Sequence, residues 1–244
     1  MNIVLLGHED LASLMALDQL VRLRPHHNYT VFFSGPMPPR MQPSPSLDAL
    51  DAVDHELFLN YRRKLLDPAP FDNAVALPAP NSPQGLATLG AAAPDLIVSI
   101  RYRRILRDDA IAVPTHGVLN LHSGILPGYR GVMATFWAML AGEAEIGTTL
   151  HRIVDPGIDT GPVIAIARQA ADYSATYLAN VLSMYREGCR NIALAIDEVA
   201  RRGTVEVQEQ PEGMGRYFGP PGESDAAAFL DRGLMLADGG ELTA

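Results

Sequence analysis

Asn120 and His122 stand two residues apart in Gly117-Val-Leu-Asn120-Leu-His122-Ser-Gly-Ile-Leu-Pro127-Gly-Tyr129-Arg130-Gly131. In an extended strand, residues i and i+2 project to one face, so this amide and imidazole sit side by side. Such a pair can hold a carbonyl oxygen as it gains negative charge, and the imidazole can also move a proton. The same residue types also serve structure, as a capping asparagine and a hydrogen-bonded buried histidine. Downstream, Asp155-Pro-Gly-Ile-Asp159-Thr-Gly-Pro lies in a turn, where an Asp can simply bond its own backbone. The ordered set favours chemistry: a strand-end Asn and His, a Leu-Pro-x-x-Arg-Gly loop, Gly147-Thr-Thr-Leu-His151, then the Asp-containing turn. His151 itself reads as a structural histidine bonded within its hairpin. His26-His27 is an adjacent pair with no accompanying ligand set, so no metal is implied.

These side chains need a strand that ends at a ligand-facing sheet edge, and the pattern of the chain predicts one. Ile3 to Leu6 is an apolar run closed by Gly7, residues 11–23 carry apolar positions at helical spacing, and Tyr29 to Phe33 is β-rich. This strand, helix, strand opening predicts a right-handed crossover and a parallel, Rossmann-like sheet. Leu47 to Leu66 regains helical periodicity after a proline-rich loop, Pro36 to Pro45. Pro68 to Pro83 reads as loop with a short strand near Ala74 to Leu77, followed by a helix over Gln84 to Ala92. Leu96 to Ile100 is apolar enough to be buried on both faces. A short helix is expected over Ile105 to Ala112, a strand over Gly117 to Leu121 and a helix over Met133 to Leu140. Gly147 to Val154 and Pro162 to Ala167 form a hairpin across Asp155-Pro156-Gly157. A long helix spans about Ser174 to Arg201, Val205 to Val207 is a last strand, and Asp225 to Leu236 a final helix. The fold class is α/β, a mostly parallel twisted sheet flanked by helices. Residues 1–204 make the main domain and 205–244 a short C-terminal extension.

Twenty-eight acidic against 19 basic residues give a formal charge of −9, which argues against the broad basic face that phosphate neutralisation requires. Nucleic acid is therefore not an expected partner. No apolar run is long enough for a membrane span and no signal segment precedes the first strand, so a soluble, cytoplasmic protein is expected. The one cysteine, Cys189, allows no disulfide framework and suits a reducing compartment.

Residues from Pro94 to about Ile164, under a third of the chain, resemble the formyltetrahydrofolate-dependent formyltransferases. Asp95-Leu-Ile-Val-Ser-Ile, Arg103-Arg-Ile-Leu106, Asn120-Leu-His122-Ser-Gly-Ile-Leu-Pro127 and Ile158-Asp159-Thr-Gly carry the likeness. The resemblance implies a Rossmann-like formyltransferase fold and 10-formyltetrahydrofolate as formyl donor. It places the catalytic residues at Asn120, His122 and Asp159, with Asp159 orienting His122 and helping to shuttle the proton. It also puts the pterin between Tyr102, Arg103, Arg104, Ile105 and Leu106 on one side and Ile153, Val154, Asp155 and Gly157 on the other. Arg101, Arg103, Arg104 and Arg107 otherwise read as a solvated face, from which one could meet the glutamate tail of the folate.

The resemblance narrows the acceptor. Gly7-His8-Glu9-Asp10 replaces the glycine-rich phosphate turn of the glycinamide ribonucleotide transformylases, and its two carboxylates would repel a phosphate. Asp10 fits a helix cap. Methionyl-tRNA formyltransferases carry a further, basic C-terminal domain, whereas about 40 residues follow Val205 here. Ser99-Ile-Arg-Tyr102, Leu121-His-Ser-Gly124, Gly131-Val-Met-Ala-Thr-Phe-Trp137 and Tyr217-Phe-Gly-Pro-Pro221 are most similar to the sugar N-formyltransferases. Phe136 and Trp137 read as core, and Arg62, Arg63 and Lys64 are weak candidates to meet a pyrophosphate. The expected acceptor is a small-molecule amine, a nucleotide-linked amino sugar or another biosynthetic intermediate such as an amino acid or hydroxylamine. A formyltetrahydrofolate hydrolase and a silent folate-binding protein are the rival classes, and the state of assembly, monomer or homodimer, is open.

Overall fold

A computed structural model describes residues 1–211 and 213–241. The chain runs β1 (Asn2–Gly7), α1 (Leu11–Leu23), β2 (Asn28–Phe33), α2 (Pro45–Arg62), α3 (Ala69–Asp72), β3 (Val75–Ala76), α4 (Pro83–Ala91) and β4 (Leu96–Ile100). It continues through α5 (Asp108–Ile111), β5 (Val118–His122), β6 (Tyr129–Gly131), α6 (Ala134–Ala141), β7 (Glu145–Ile153), β8 (Val163–Ala170), α7 (Tyr177–Arg202), β9 (Arg216–Phe218) and α8 (Glu223–Asp231).

The main sheet has strand order β3-β2-β1-β4-β5-β7-β8. Pairings from β3 across to β5 are parallel, and β7 and β8 close the other edge antiparallel. Period-2 alternation sends neighbouring residues to opposite cores. Ile3, Leu5, Leu96, Val98, Leu119 and Leu121 join the larger cluster with α1 and α7, while Val4, Leu6, Ile97 and Val118 join the smaller one with Leu89 of α4 and Ala110 of α5. Asn120 and His122 therefore share the Val118 face of β5. The order also fixes a switch point. The chain leaves β1 toward β2 on one side and β4 toward β5 on the other, opening a crevice at their carboxyl ends.

α7 carries 26 residues because its apolar positions recur at every third or fourth residue from Leu178 to Val199. Thr176 caps its start by accepting from the Ala179 N–H at 3.0 Å. Gly203 ends it at φ +75°, a left-handed conformation that costs glycine little. Cys189 is buried within this helix's inner face.

The structure departs from the expected elements in several places, and the final helix ends at Asp231, short of Leu236. The second helix stops at Arg62, short of Leu66, and Ala69–Asp72 forms a helical turn within the expected loop. The Ile105 to Ala112 helix shrinks to Asp108–Ile111. Val205 to Val207 is not a strand; the chain there makes only a single bridge, Gln208 to Val163. Two three-residue strands, β6 and β9, pair instead as a separate parallel sheet. Such short strands leave no periodicity to read, and their pairing depends on distant chain. The tail also reaches the core: Phe229 of α8 is fully buried and stacks on Phe136, with ring centroids 4.7 Å apart. No described helix is long and apolar enough to cross a membrane.

Candidate active site

The β5–β7 register sets Asn120 directly opposite His151, and the β7–β8 connection returns Asp159 to the same spot. His122 Nδ1 lies 3.3 Å from Asp159 Oδ2, and His151 Nε2 lies 3.4 Å from Asp159 Oδ1. The Asn120 amide meets His151 Nε2 at 3.0 Å. All three predicted catalytic residues thus converge, and His151 joins them. Its expected structural bond is present too, with Nδ1–H donating to the Arg152 carbonyl at 3.0 Å. That bond fixes a proton on Nδ1, and Nε2 lies between the Asn120 amide and the Asp159 carboxylate.

His122 is 7% exposed, and its Nε2 approaches the Tyr129 carbonyl at 2.6 Å while Nδ1 faces Asp159. A carbonyl can only accept, so the Nε2–H donates to it while Nδ1 faces the Asp159 carboxylate. Burial alone would push the Asp159 carboxyl up, but His122, His151 and the Gly131 N–H at 2.8 Å outweigh it and hold it down at about 2. The backbone of Asp159 sits at φ +54°, the left-handed region that Asp tolerates better than most residues. Strained backbone of this kind marks functional turns when surrounding bonds hold it in place.

The two segments expected to flank a pterin come together around one cluster. Leu106 is buried, and Tyr102 and Ile153 pack against its group. Ile105 and Val154 are half-exposed, with 52% and 51% of their surfaces free, leaving apolar walls for a flat ring. Asp155 and Gly157 form the turn beside them, Asp155 Oδ1 accepting from the Gly157 N–H at 2.6 Å. Tyr102 is tied down by its hydroxyl to the Leu77 carbonyl, and Arg104 donates to the carbonyls of Ser34 and Pro36. Arg101 does not lie on a solvated face. It is largely buried, with 16% of its side chain exposed, and paired with Asp10 at 2.9 Å, and Arg103 reaches the same carboxylate at 3.3 Å.

Asp10 caps α1 as expected, its Oδ1 accepting from the Ser13 N–H at 2.8 Å. Its charge is not free to repel a phosphate, contrary to expectation, because two guanidiniums neutralise it. A cleft of about 450 Å³ opens beside the 123–129 loop, bounded by Ile125, Leu126, Ala138, Ile146 and Met214. Asn120, His122 and Asp159 do not line it. The geometry of the polar residues, not the size of the hollow, locates the chemistry.

The sequence model of the formyl transferase family matches residues 78–181, a span holding β4, β5, β7 and all four converging side chains. These residues belong to the formyl transferase family. Over 172 residues the chain is 31% identical to the methionyl-tRNA formyltransferase of Mycobacterium avium (strain 104), covering 70% of this chain and 49% of that protein. The chain spans about half the length of these curated relatives. Its fold is similar to a sugar N-formyltransferase from Shewanella sp FDAARGOS_354, with a TM-score of 0.62 at 14% identity, covering 97% of this chain and 89% of that one. It is also similar to the N-formyltransferase from Helicobacter canadensis in complex with folinic acid and dTDP-3-aminofucose, with a TM-score of 0.57 at 20% identity over 90% and 71% of the two chains.

Within the formyl transferase domain, one glycine is dictated by the site. A Cβ on Gly124 would stand 2.6 Å from both His122 Nε2 and the Ala134 Cβ, and 2.8 Å from the Tyr129 carbonyl oxygen. Gly124→Ala must therefore push His122 off that carbonyl. Turnover in a formyl-transfer assay is expected to fall by at least about tenfold, since an ångström of misplacement is costly in a positioned site. Wild-type turnover in a folded Gly124→Ala protein would show that the His122 to Tyr129 contact has no part in catalysis.

Proposed function

We propose that this protein transfers a formyl group from 10-formyltetrahydrofolate to the amine of a small-molecule acceptor, with a nucleotide-linked amino sugar the first class to test. One observation carries the reading: His122 is held between the Tyr129 carbonyl and the Asp159 carboxylate, and Asn120 is joined to the same carboxylate through His151. The folate donor fits the exposed apolar walls of Ile105 and Val154 beside the Tyr102 and Ile153 cluster. When bound, it supplies the formyl carbon as electrophile.

The chain's own residues then divide the work. An N–H of Asn120 and the protonated ring of His122, its Nε2–H turned from the Tyr129 carbonyl, hold the carbonyl oxygen as the acceptor amine attacks and negative charge builds there. His151 keeps the Asn120 amide from turning over. Asp159, ionised at neutral pH, faces Nδ1 of His122 and orients its ring. The proton released by the attacking amine passes through the His122 and Asp159 pair to the departing nitrogen, so the pair ends in its starting state.

The choice of a small-molecule acceptor is supported by the acidic balance of −9 and by motifs similar to the sugar enzymes. The identity shared with methionyl-tRNA formyltransferases favours a second reading, in which the acceptor is the amino group of a charged tRNA. The full protein is incubated with 10-formyltetrahydrofolate and, separately, nucleotide-linked amino sugars, free amino acids, hydroxylamines and methionyl-tRNA, following tetrahydrofolate release and product mass. Release that depends on an amine names the acceptor class. Formate release without any amine would replace the transferase reading with a hydrolase, and folate binding without turnover would leave a carrier.

A further inference from the structure

We propose that Gln210, from the chain beyond α7, is a positioning residue for Asp159. The inference rests on the formyl-transfer reading only for its kinetic consequence; the geometry stands apart from it. Both hydrogens of the Gln210 amide are spent on one turn: Nε2 donates to the Asp159 carbonyl at 2.9 Å and to the Gly161 carbonyl at 2.7 Å. The bracketed turn is the one that sets the direction of the Asp159 side chain, with Asp159 itself at φ +54°. Gly161 is pressed so closely on the hairpin that a Cβ there would stand 1.9 Å from the Arg152 carbonyl oxygen. The turn is thus pinned below by the hairpin and above by Gln210.

The same stretch of tail grips the other partner of Asp159. Gln208 exchanges two backbone bonds with Val163 at 2.7 and 2.8 Å, fixing the chain two residues before Gln210. Further on, β9 pairs with β6 so that Phe218 lies opposite Gly131, whose N–H donates to Asp159 Oδ2. Phe218 stacks on Tyr129 and Trp137, with centroids 5.2 and 5.3 Å away, which seats β9 firmly. The tail therefore fixes the Asp159 backbone at one end and a donor to its carboxylate at the other. Gln210 touches no reacting group, and its influence must run through Asp159.

Two measurements on the full chain test this. The first needs no substrate: amide hydrogen exchange at Gly131, whose N–H bonds Asp159, is followed by NMR. Gln210→Ala is expected to speed it by about fivefold or more, while Glu209→Ala, on an exposed neighbour, leaves it unchanged. The second is a double-mutant cycle on kcat. Gln210→Ala alone lowers kcat by about tenfold with KM for folate held within about twofold, but in the Asp159→Asn background it changes kcat by less than about twofold. A merely structural glutamine would lower kcat by the same factor in both backgrounds. Unchanged exchange at Gly131, or full additivity in the cycle, would each overturn the proposal. If the wild-type protein shows no formyl transfer, the exchange experiment still decides it.

Discussion

Asn120→Ala and His122→Ala are each expected to lower formyl-transfer turnover by about 10²–10³-fold, or about 2.7–4 kcal/mol of transition-state stabilisation, the usual contribution of one oxyanion donor. The fold should persist, because Asn120 gives up one side-chain bond to His151, and where His122 gives up the Tyr129 carbonyl and Asp159, that carboxylate keeps His151 and the Gly131 N–H. Asp159→Asn tests a separate term. It retains the shape and an acceptor for the Gly131 N–H, yet removes the charge that His122 faces. Its loss should fall on kcat more than on KM, since the charge matters most as the oxygen turns negative. The three losses should not add, because Asp159 acts through His122. Steady-state rates of the single and double variants with 10-formyltetrahydrofolate, alongside circular dichroism, measure this. Three folded variants turning over at the wild-type rate would remove the site from the reaction.

The parts of this arrangement that are written locally in the chain are legible in the amino-acid sequence alone. Ile3 to Gly7, 11–23 and Tyr29 to Phe33 form β1, α1 and β2 because strand and helix periods are set by nearest neighbours. Asn120 and His122 share a face for the same reason, their spacing being the period of a strand. The place of His151 is not written locally. Its bond to Asn120 depends on the antiparallel register across 31 residues, and sequence offers only the hairpin, not which residue faces which. Arg101 is hidden for a related reason. Four arginines in seven residues read as a solvated cluster, and only the approach of Asp10, 91 residues earlier, turns one of them inward. Gln210 sits in a Gly/Pro-rich stretch with no period at all, so its two bonds exist only in three dimensions. Local rules find the strand that carries a site, and long-range pairing decides what completes it.

That buried arginine carries the largest expected effect on stability. Asp10→Ala should destabilise the protein by about 3–5 kcal/mol, the usual result of stranding one member of a buried ion pair. Both partners are out of water: the Asp10 side chain is 5% exposed and that of Arg101 16%, with the hydroxyls of Tyr177 and Tyr185 nearby. Arg101 also sits at φ +59°, a conformation costing of order 1–3 kcal/mol that the bond to Asp10 helps enforce. Arg103, more exposed at 36%, adds little, as surface pairs do. The α1 cap is lost in the same variant, a further ~1 kcal/mol. Asp10→Asn separates the terms, since its amide oxygen can still accept from Ser13 while the charge is gone. The ordering expected in thermal melts is wild type, then Asn, then Ala, with the Ala variant roughly 10 °C or more below wild type. The pH dependence has a definite sign. Burial works to raise the Asp10 carboxyl, but Arg101, Arg103, His8 and the Ser13 N–H prevail and hold it below the ordinary range. Its contribution is therefore fully present above the unfolded value of about 3.9 and disappears as the pH falls through the lower folded value. Between about pH 5 and 8 the gap between wild type and Asp10→Asn also carries Asp54, whose carboxyl burial and Asp10 push up to about 7, so the Asp10 contribution is read below about pH 4, where the gap should shrink. A gap that widened in acid, or an Ala variant melting with the wild type, would mean that Arg101 is satisfied without Asp10.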